Sequence, residues 1–250
     1  MQGFDSEAQA QQPLNTGRSR DIKSAAKDIR RGFIRKVYGV LTMQLLLTVA
    51  VASAIFTNGQ DGMWLRSHEW LLWVSVATTF STICVMSCCE GVCRRYPTNY
   101  AFLLIFTVSE AVMIGFASAI FTWQGLLLAA GVTCLVVLGL TIYAFNSEVD
   151  FTGLGPYLFV GLLVIGLFGL VLALLPNFGV SVEVATVCYD LLGVLVFSFY
   201  VVFDTQLMLG VYSSHRFSLS VDDYVFAALN LYMDILNLFL HLLSLLGERK

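Results

Sequence analysis

The chain has 250 residues, of which 58% are hydrophobic and only 12% are charged, with a formal net charge of −3 at pH 7. A soluble domain cannot enclose that much apolar surface in one core, whereas a bundle of membrane-spanning helices turns it outward to lipid. The weak negative charge offers no basic groove, so we expect membrane lipids as partners and no nucleic acid.

Residues 1–36 form a polar tail without the apolar stretch of a signal peptide, so we expect none to be cleaved. From residue 21 to 36 apolar side chains recur at helical spacing, with six Lys and Arg side chains among them. One interpretation is a basic amphipathic helix lying on an anionic membrane surface. The other is a basic juxtamembrane segment that flanks the first membrane span.

Residues 37–250 contain seven apolar stretches, each long enough to cross a bilayer as a helix. The sequence therefore predicts an all-α membrane protein, a seven-transmembrane-helix bundle, that occupies this whole range. The predicted spans are about Val37–Phe56, Trp70–Cys89, Tyr100–Phe121, Gly125–Phe145, Tyr157–Leu175, Val184–Tyr212 and Tyr224–Leu246.

The distribution of Lys and Arg predicts the orientation. Eleven of the 14 lie on one side of the predicted bundle, in the tail and after spans two and six. Because cytoplasmic segments are enriched in these residues, the amino terminus is expected in the cytoplasm. An odd number of spans then places the carboxyl terminus on the opposite side of the membrane.

Four of the six cysteines cluster near the predicted cytoplasmic end of span two, at Cys84, Cys88, Cys89 and Cys93. The cytosol is reducing, so we expect no disulfide framework there. Juxtamembrane cysteines can be palmitoylated, or they can act as small residues that pack between helices. A four-cysteine zinc site is disfavoured, because one helix cannot wrap four ligands around a tetrahedral ion.

The last span carries a polar stripe, formed by Asn230, Asp234, Asn237 and His241. Their spacings of four, three and four residues place them on one face of a helix. An ionisable group facing lipid costs several kcal/mol, so this face is expected to point toward protein or water. His241 by itself is more typical of a hydrogen-bonded packing residue than of an ion ligand.

Three further acids lie within predicted spans. Asp204 lies about 12 Å from the end of span six and Asp234 about 15 Å into span seven, so the two carboxyls can reach similar depth. Asp190 precedes Asp204 by 14 residues on roughly the same helix face, and we expect it near the outer interface with its charge hydrated. Glu110 is mid-span and is expected to face the bundle interior.

Two segments resemble the BAX-inhibitor-motif family, most closely its Lifeguard branch, which is related to the glutamate-receptor-associated membrane proteins. They read Val-Phe-Asp-Thr-Gln-Leu-Met-Leu-Gly at 202–210 and Asp-Tyr-Val-Phe-Ala-Ala-Leu-Asn-Leu-Tyr-Met-Asp-Ile-Leu-Asn-Leu-Phe at 223–239. The resemblance implies a protein of the endoplasmic reticulum or Golgi that leaks Ca²⁺ in a pH-dependent way and restrains cell death. It also implies that Asp204 and Asp234 are the proton sensor and gate, with transient Ca²⁺ contact. Possible partners are then Ca²⁺, protons and apoptosis-regulating membrane proteins.

This mechanism is physically coherent. Two neighbouring carboxylates in a low-dielectric bundle cannot easily both ionise, so the pair should titrate as one unit. A shared proton would join spans six and seven, and its loss would expose oxygens that a hard cation prefers. The possible ion pathway is completed by Glu110, Asp190, Asn230, Asn237 and His241. Beyond Ca²⁺ as a permeant ion, we expect no cofactor.

The residues alone leave three alternatives to a proton-gated Ca²⁺ pathway. The carboxyls could be protonated and simply join helices by hydrogen bonds. The protein could be a non-conducting seven-span scaffold that binds cell-death regulators. An intramembrane aspartyl protease also uses two aspartates on neighbouring spans, and Tyr189-Asp190 matches half of its signature. The Gly-x-Gly-Asp half is missing at Asp234, so we expect no enzyme.

Overall fold

The computed structural model describes residues 27–60, 62–88, 97–210 and 223–250, and seven long helices make up most of these residues. They are α1 (Lys27–Asn58), α2 (Glu69–Cys88), α3 (Thr98–Ser118), α4 (Trp123–Asn146), α5 (Gly155–Leu174), α6 (Glu183–Leu209) and α7 (Tyr224–Leu246). A short helix, Met63–Ser67, precedes α2, and 3₁₀ turns at Thr152–Leu154 and Leu175–Phe178 flank α5. All seven long helices have the length and apolar composition to cross a membrane, which confirms the predicted fold class.

Helix α1 begins ten residues before the predicted first span and continues through it without a break. Phe33 and Val37 are fully buried on its first turns. They pack against three residues of α6 and α7: Met208, Ala227 and Ala228. The apolar face of the basic segment therefore contacts protein, and residues 28–36 are not a separate helix lying along a lipid surface. The predicted start of that helix, at residues 21–26, lies outside the described residues.

Helix α7 is the centre of the bundle and packs against α6, α4, α1 and α3. Two-thirds of its most apolar window is buried inside the protein, a larger share than in any other described span. Helix α5 is the opposite case, because it is apolar on every side, buries only Leu158, Ile165 and Leu172, and packs mainly on α6. A helix that is hydrophobic on every side suits a position at the edge of a bundle in lipid.

Helix α6 ends three residues earlier than predicted, at Leu209. Gly210 caps it with a φ of 62°, a left-handed conformation that glycine adopts without steric cost. Just before this end, the buried amide of Gln206 binds the α4–α5 connection. Its Oε1 accepts from the Phe151 amide at 2.8 Å and its Nε2 donates to the Val149 carbonyl at 2.9 Å. These bonds set the position of α5 beside α6.

At the other end of the bundle, residues 247–250 form a clasp across the α3–α4 connection. The Thr122 amide donates to the Glu248 carbonyl at 2.8 Å, and the Lys250 amide donates to the Ile120 carbonyl at 3.0 Å. The Lys250 ammonium also donates to Gln60 Oε1 at 2.8 Å, next to the end of α1. The carboxyl-terminal clasp therefore connects α7 to the ends of α1, α3 and α4.

Four cysteines fall within the described residues, and all are free and exposed on helix surfaces: Cys84, Cys88, Cys134 and Cys188. Cys84 and Cys88 thus do not serve as packing residues in the interior. Cys89 and Cys93, the other half of the predicted cluster, lie outside the described residues. Palmitoylation of the cluster stays a prediction.

Candidate functional site

The carboxyl groups of Asp204 and Asp234 are close enough to interact with each other at the interface of α6 and α7. Asp234 is only 5% exposed, and its Oδ2 has no donor among the described residues. Asp204 is partly exposed. Ionised carboxylates only accept hydrogen bonds, so the two groups can bond each other only if one carries a proton. The arrangement can hold one proton between two helices.

The pair lies on the wall of a cavity of about 790 Å³ between α5, α6 and α7. Four of the lining residues carry polar amide or carboxyl groups: Asp204, Asn230, Asp234 and Asn237. The remainder are mostly large apolar or aromatic side chains: Gly155, Pro156, Phe159, Leu162, Phe197, Tyr200, Phe203, Leu207, Phe226 and Met233. We call this space the α5–α7 cleft.

The structure brings Asn230 and Asn237 to the same cleft as the carboxyl pair, one helical turn to either side of Asp234. The Asn237 side-chain amide donates to the Met233 carbonyl at 2.8 Å, a bond that does not use the amide oxygen. Two carboxyls and two amide oxygens are the hard ligands that Ca²⁺ takes. Among the described residues there is no group of three or more His, Cys, Asp or Glu side chains that could hold a metal ion. The donor set suits a transient contact better than a resident metal.

Asp190 and His241 form a separate site, about 21 Å along α6 from Asp204 at the helical rise. His241 Nδ1 lies 2.9 Å from Asp190 Oδ1, and the Ser244 hydroxyl donates to Asp190 Oδ2 at 2.5 Å. Asp190 is only 4% exposed, so the expected hydrated position near the outer interface is wrong. The reason is that His241 and Ser244 on α7 satisfy both carboxyl oxygens inside the protein. His241 is a hydrogen-bonded packing residue, as expected for a single histidine within a membrane span.

Glu110 is buried on α3, as predicted, but it lies away from the carboxyl pair. Its carboxyl contacts the Thr79 hydroxyl of α2 and lies near Tyr232 of α7. The Tyr232 hydroxyl is 2.7 Å from Thr48 Oγ1 of α1, which closes a polar cluster in the other half of the bundle. Tyr232 and Asp234 point to opposite sides of α7, so the helix itself separates Glu110 from the cleft.

Tyr200 is a site residue that the sequence pattern did not identify. It lies one turn before Asp204 on α6, lines the cleft and is near enough to both carboxyls for electrostatic interaction. Its ring lies between those of Phe197 and Phe203, with centroids 6.1 and 6.4 Å away. The spacing of four residues before an intramembrane acid was a usable signal, but aromatic residues are common throughout this span.

Comparison with known proteins gives consistent matches. The family model described as Bax1-I, "Inhibitor of apoptosis-promoting Bax1", matches residues 30–250. "Protein lifeguard 3" of Homo sapiens is 33% identical over 225 residues, which are 89% of this chain and 70% of that protein. "Protein LIFEGUARD 4" of Arabidopsis thaliana is 35% identical over 221 residues, 87% and 85% of the two chains. "Protein lifeguard 3" of Mus musculus is 33% identical over 224 residues, which are 89% of this chain and 71% of that protein.

These matches confirm the resemblance seen in residues 202–210 and 223–239, and they extend it to the first turns of α1. The chain is a multi-pass membrane protein that belongs to the BAX-inhibitor-motif family, with lifeguard proteins among its relatives.

Proposed function

We propose that this protein is a pH-sensitive Ca²⁺ leak pathway of intracellular membranes, gated by Asp204 and Asp234. The observation that carries the proposal is the proximity of these two carboxyls, one of which has a buried oxygen that finds no donor within the described part of the chain. Such a pair is stable only with a shared proton, so its contact depends on pH.

The direction of the pH effect follows from the charge on the pair. At low pH one proton bridges the carboxyls and holds α6 against α7. As pH rises and the proton leaves, two adjacent negative charges repel in a low-dielectric interior. The helices then separate and their oxygens, with those of Asn230 and Asn237, become available to Ca²⁺. Flux should therefore increase as pH rises through the titration of the pair.

The cellular role comes from the family. The family description names inhibition of apoptosis-promoting Bax1, and the relatives are named lifeguard proteins. We infer that this chain restrains cell death from the endoplasmic reticulum or Golgi, with its amino terminus in the cytoplasm. Contacts with apoptosis-regulating membrane proteins fit that role. The restraint of cell death would then depend on the carboxyl pair through its control of stored Ca²⁺.

Two neighbouring carboxyls on adjacent membrane helices are also the arrangement of an aspartyl protease. Against that activity, Leu231-Tyr232-Met233 precedes Asp234 where such an enzyme has Gly-x-Gly. Tyr232 is fully buried in the polar cluster with Thr48, so this segment serves to pack α7 inside the bundle. A channel therefore accounts for the pair better than a protease does.

The test is Ca²⁺ flux into liposomes that contain the purified protein and a trapped Ca²⁺ indicator. We expect flux that rises from about pH 5 to 8, a range that brackets the titration of a proton shared by two buried carboxyls. Protein-free liposomes give the background. No flux above background at any pH would overturn the channel and leave the non-conducting scaffold as the function.

A further inference from the structure

We propose that the α5–α7 cleft binds a single-chain alkylammonium amphiphile from the bilayer. Its ammonium group would lie at Asp204 and Asp234, and its alkyl chain would lie along the apolar walls. The site is the one used in the proposed function, but the binding does not rest on the protein being a channel. It follows from the charge, the walls and the position of the cleft.

The charge of the site favours a cation. With one shared proton the carboxyl pair keeps a net charge of −1. Helices α2 to α7 contain no Lys or Arg, so none of these six helices places a permanent cation beside the pair. Asp234 Oδ2 is buried on the cleft wall and has no donor among the described residues. Asp204 and Asn230 are partly exposed and line the same wall, and a primary ammonium has three donors that can serve their oxygens.

The walls favour an organic cation over a hydrated metal ion. Phe159 of α5 and Phe226 of α7 both line the cleft and are 63% and 41% exposed, and both belong to membrane-spanning helices. The cleft is therefore open toward the hydrocarbon of the bilayer. Apolar walls give a hydrated ion no ligand, whereas an alkyl chain packs against them. A volume of about 790 Å³ is in the range of roughly 300–1,000 Å³ that is typical of small-molecule sites.

The depth of the residues gives the amphiphile its ordinary membrane orientation. Asp204 lies five residues from the end of α6, or about 7.5 Å at the helical rise. Phe197 lines the same cleft seven residues deeper, about 10 Å further toward the bilayer centre. An ammonium at Asp204 is thus near the interface, and its chain extends toward the midplane. The molecule can enter sideways without turning over.

Aromatic rings add a preference for a cation at this position. Tyr200 and Phe203 line the cleft within one turn of Asp204, with ring centroids 6.4 Å apart. An ammonium over an aromatic face is attracted by the electrons of the ring, and more strongly when the ammonium is desolvated. A neutral or anionic chain of equal length makes neither the ion pair with the carboxyls nor the cation–π contact with the rings.

Binding can be measured with dodecylamine, whose amine is protonated at pH 7 like that of lysine. The full chain in a non-ionic detergent is titrated with dodecylamine, dodecanol and dodecanoate in the absence of Ca²⁺, and binding is followed by calorimetry. We expect saturable 1:1 binding of dodecylamine, at least about tenfold tighter than that of the other two. Equal binding of all three probes, or uptake that does not saturate, would show simple partitioning and overturn the proposal.

Matched variants locate the site. Leu162→Trp places a larger side chain in the cleft and should weaken dodecylamine binding at least about tenfold, whereas Leu163→Trp, next to it but outside the cleft lining, should not. Phe226→Ala removes an exposed wall residue at little packing cost. It should also weaken dodecylamine binding, and it replaces Leu162→Trp if that variant fails to fold. Asp234→Asn should lose the preference for dodecylamine over dodecanol. Unchanged binding in the wall variants would overturn the proposed site, whatever the Ca²⁺ flux shows.

Discussion

The imidazole of His241 lies directly against the Cα of Gly193, with no space between α6 and α7 for a methyl group. A Cβ on residue 193 would come well within 3.0 Å of the ring, closer than real Cβ atoms come to their neighbours. The same ring packs edge-on to Tyr189 and is stacked on Phe197, while its Nδ1 contacts Asp190. The ring therefore cannot move aside easily. Gly193 sets the distance between the two helices that carry the carboxyl pair.

Gly193→Ala should destabilise the bundle, because the new methyl group overlaps the fixed ring of His241. Overpacking of this kind costs typically 1–3 kcal/mol. The measurement is the midpoint of thermal unfolding in detergent. The control is Gly166→Ala on α5, where a Cβ meets nothing within 4 Å and the midpoint should stay equal or rise. Equal midpoints for the two variants would mean that the α6–α7 interface is looser than the structure has it.

Much of this arrangement could be predicted from periodicity. The spacing of Asn230, Asp234, Asn237 and His241 correctly placed a polar face toward the interior, because lipid does not tolerate such a stripe. Two acids at similar depth on antiparallel neighbours allow Asp204 and Asp234 to meet, although depth alone does not require their contact. In both cases the membrane removes alternatives that would be open in water.

The remaining features depend on helix neighbours, which periodicity does not specify. Asp190 shares a face with Asp204, yet its burial is due to Ser244 and His241 reaching it from α7. Glu110 was correctly placed inside, but which side of α7 it faces is set by the packing of α3 on α1. The cleft itself exists because Gln206 holds the α4–α5 connection, a contact between residues more than 50 positions apart.

The carboxyl-terminal clasp can be tested through Gly125. A Cβ there would lie 2.7 Å from the Glu248 amide nitrogen, so Gly125→Ala should displace the clasp from α4. We expect faster hydrogen exchange at the amides of Thr122 and Lys250, which the clasp bonds protect. Gly131→Ala on the same helix meets nothing within 4 Å and serves as control. Unaltered exchange in Gly125→Ala would show that the clasp tolerates the methyl group.

The orientation can be tested with epitope tags. A tag before residue 1 should be cleaved by protease added to the cytosolic side, and a tag after Lys250 on a flexible linker should be protected. The reason is the concentration of Lys and Arg on the amino-terminal side and the odd number of membrane helices. Detergent-permeabilised membranes, in which both tags must be cleaved, are the control. Equal accessibility in intact membranes would contradict seven crossings.

Glu110→Gln should leave the pH of half-maximal Ca²⁺ flux unchanged. Its neighbours are Thr79 and Tyr232, and α7 separates it from the cleft. Gln keeps the size of the side chain and can still bond the Thr79 hydroxyl, so the unfolding midpoint should change little. A shift of the flux profile as large as that of the Asp234 variant would show that Glu110 is coupled to the pair across the helix.

The carboxyl pair gives the most discriminating result. Asp204→Asn or Asp234→Asn alone should abolish the pH dependence of flux between about pH 5 and 8, because an amide cannot take part in the shared titration. The double variant should behave like each single variant, since groups that act as a unit are not additive. Two independent acids would behave differently: each single change would leave the other titration intact, and the double effect would be the sum. Asn237→Ala is the control, since it alters the cleft but removes no titratable group. If both single variants keep a pH-dependent flux, the carboxyls do not share a gating proton, and their contact serves only to hold α6 against α7.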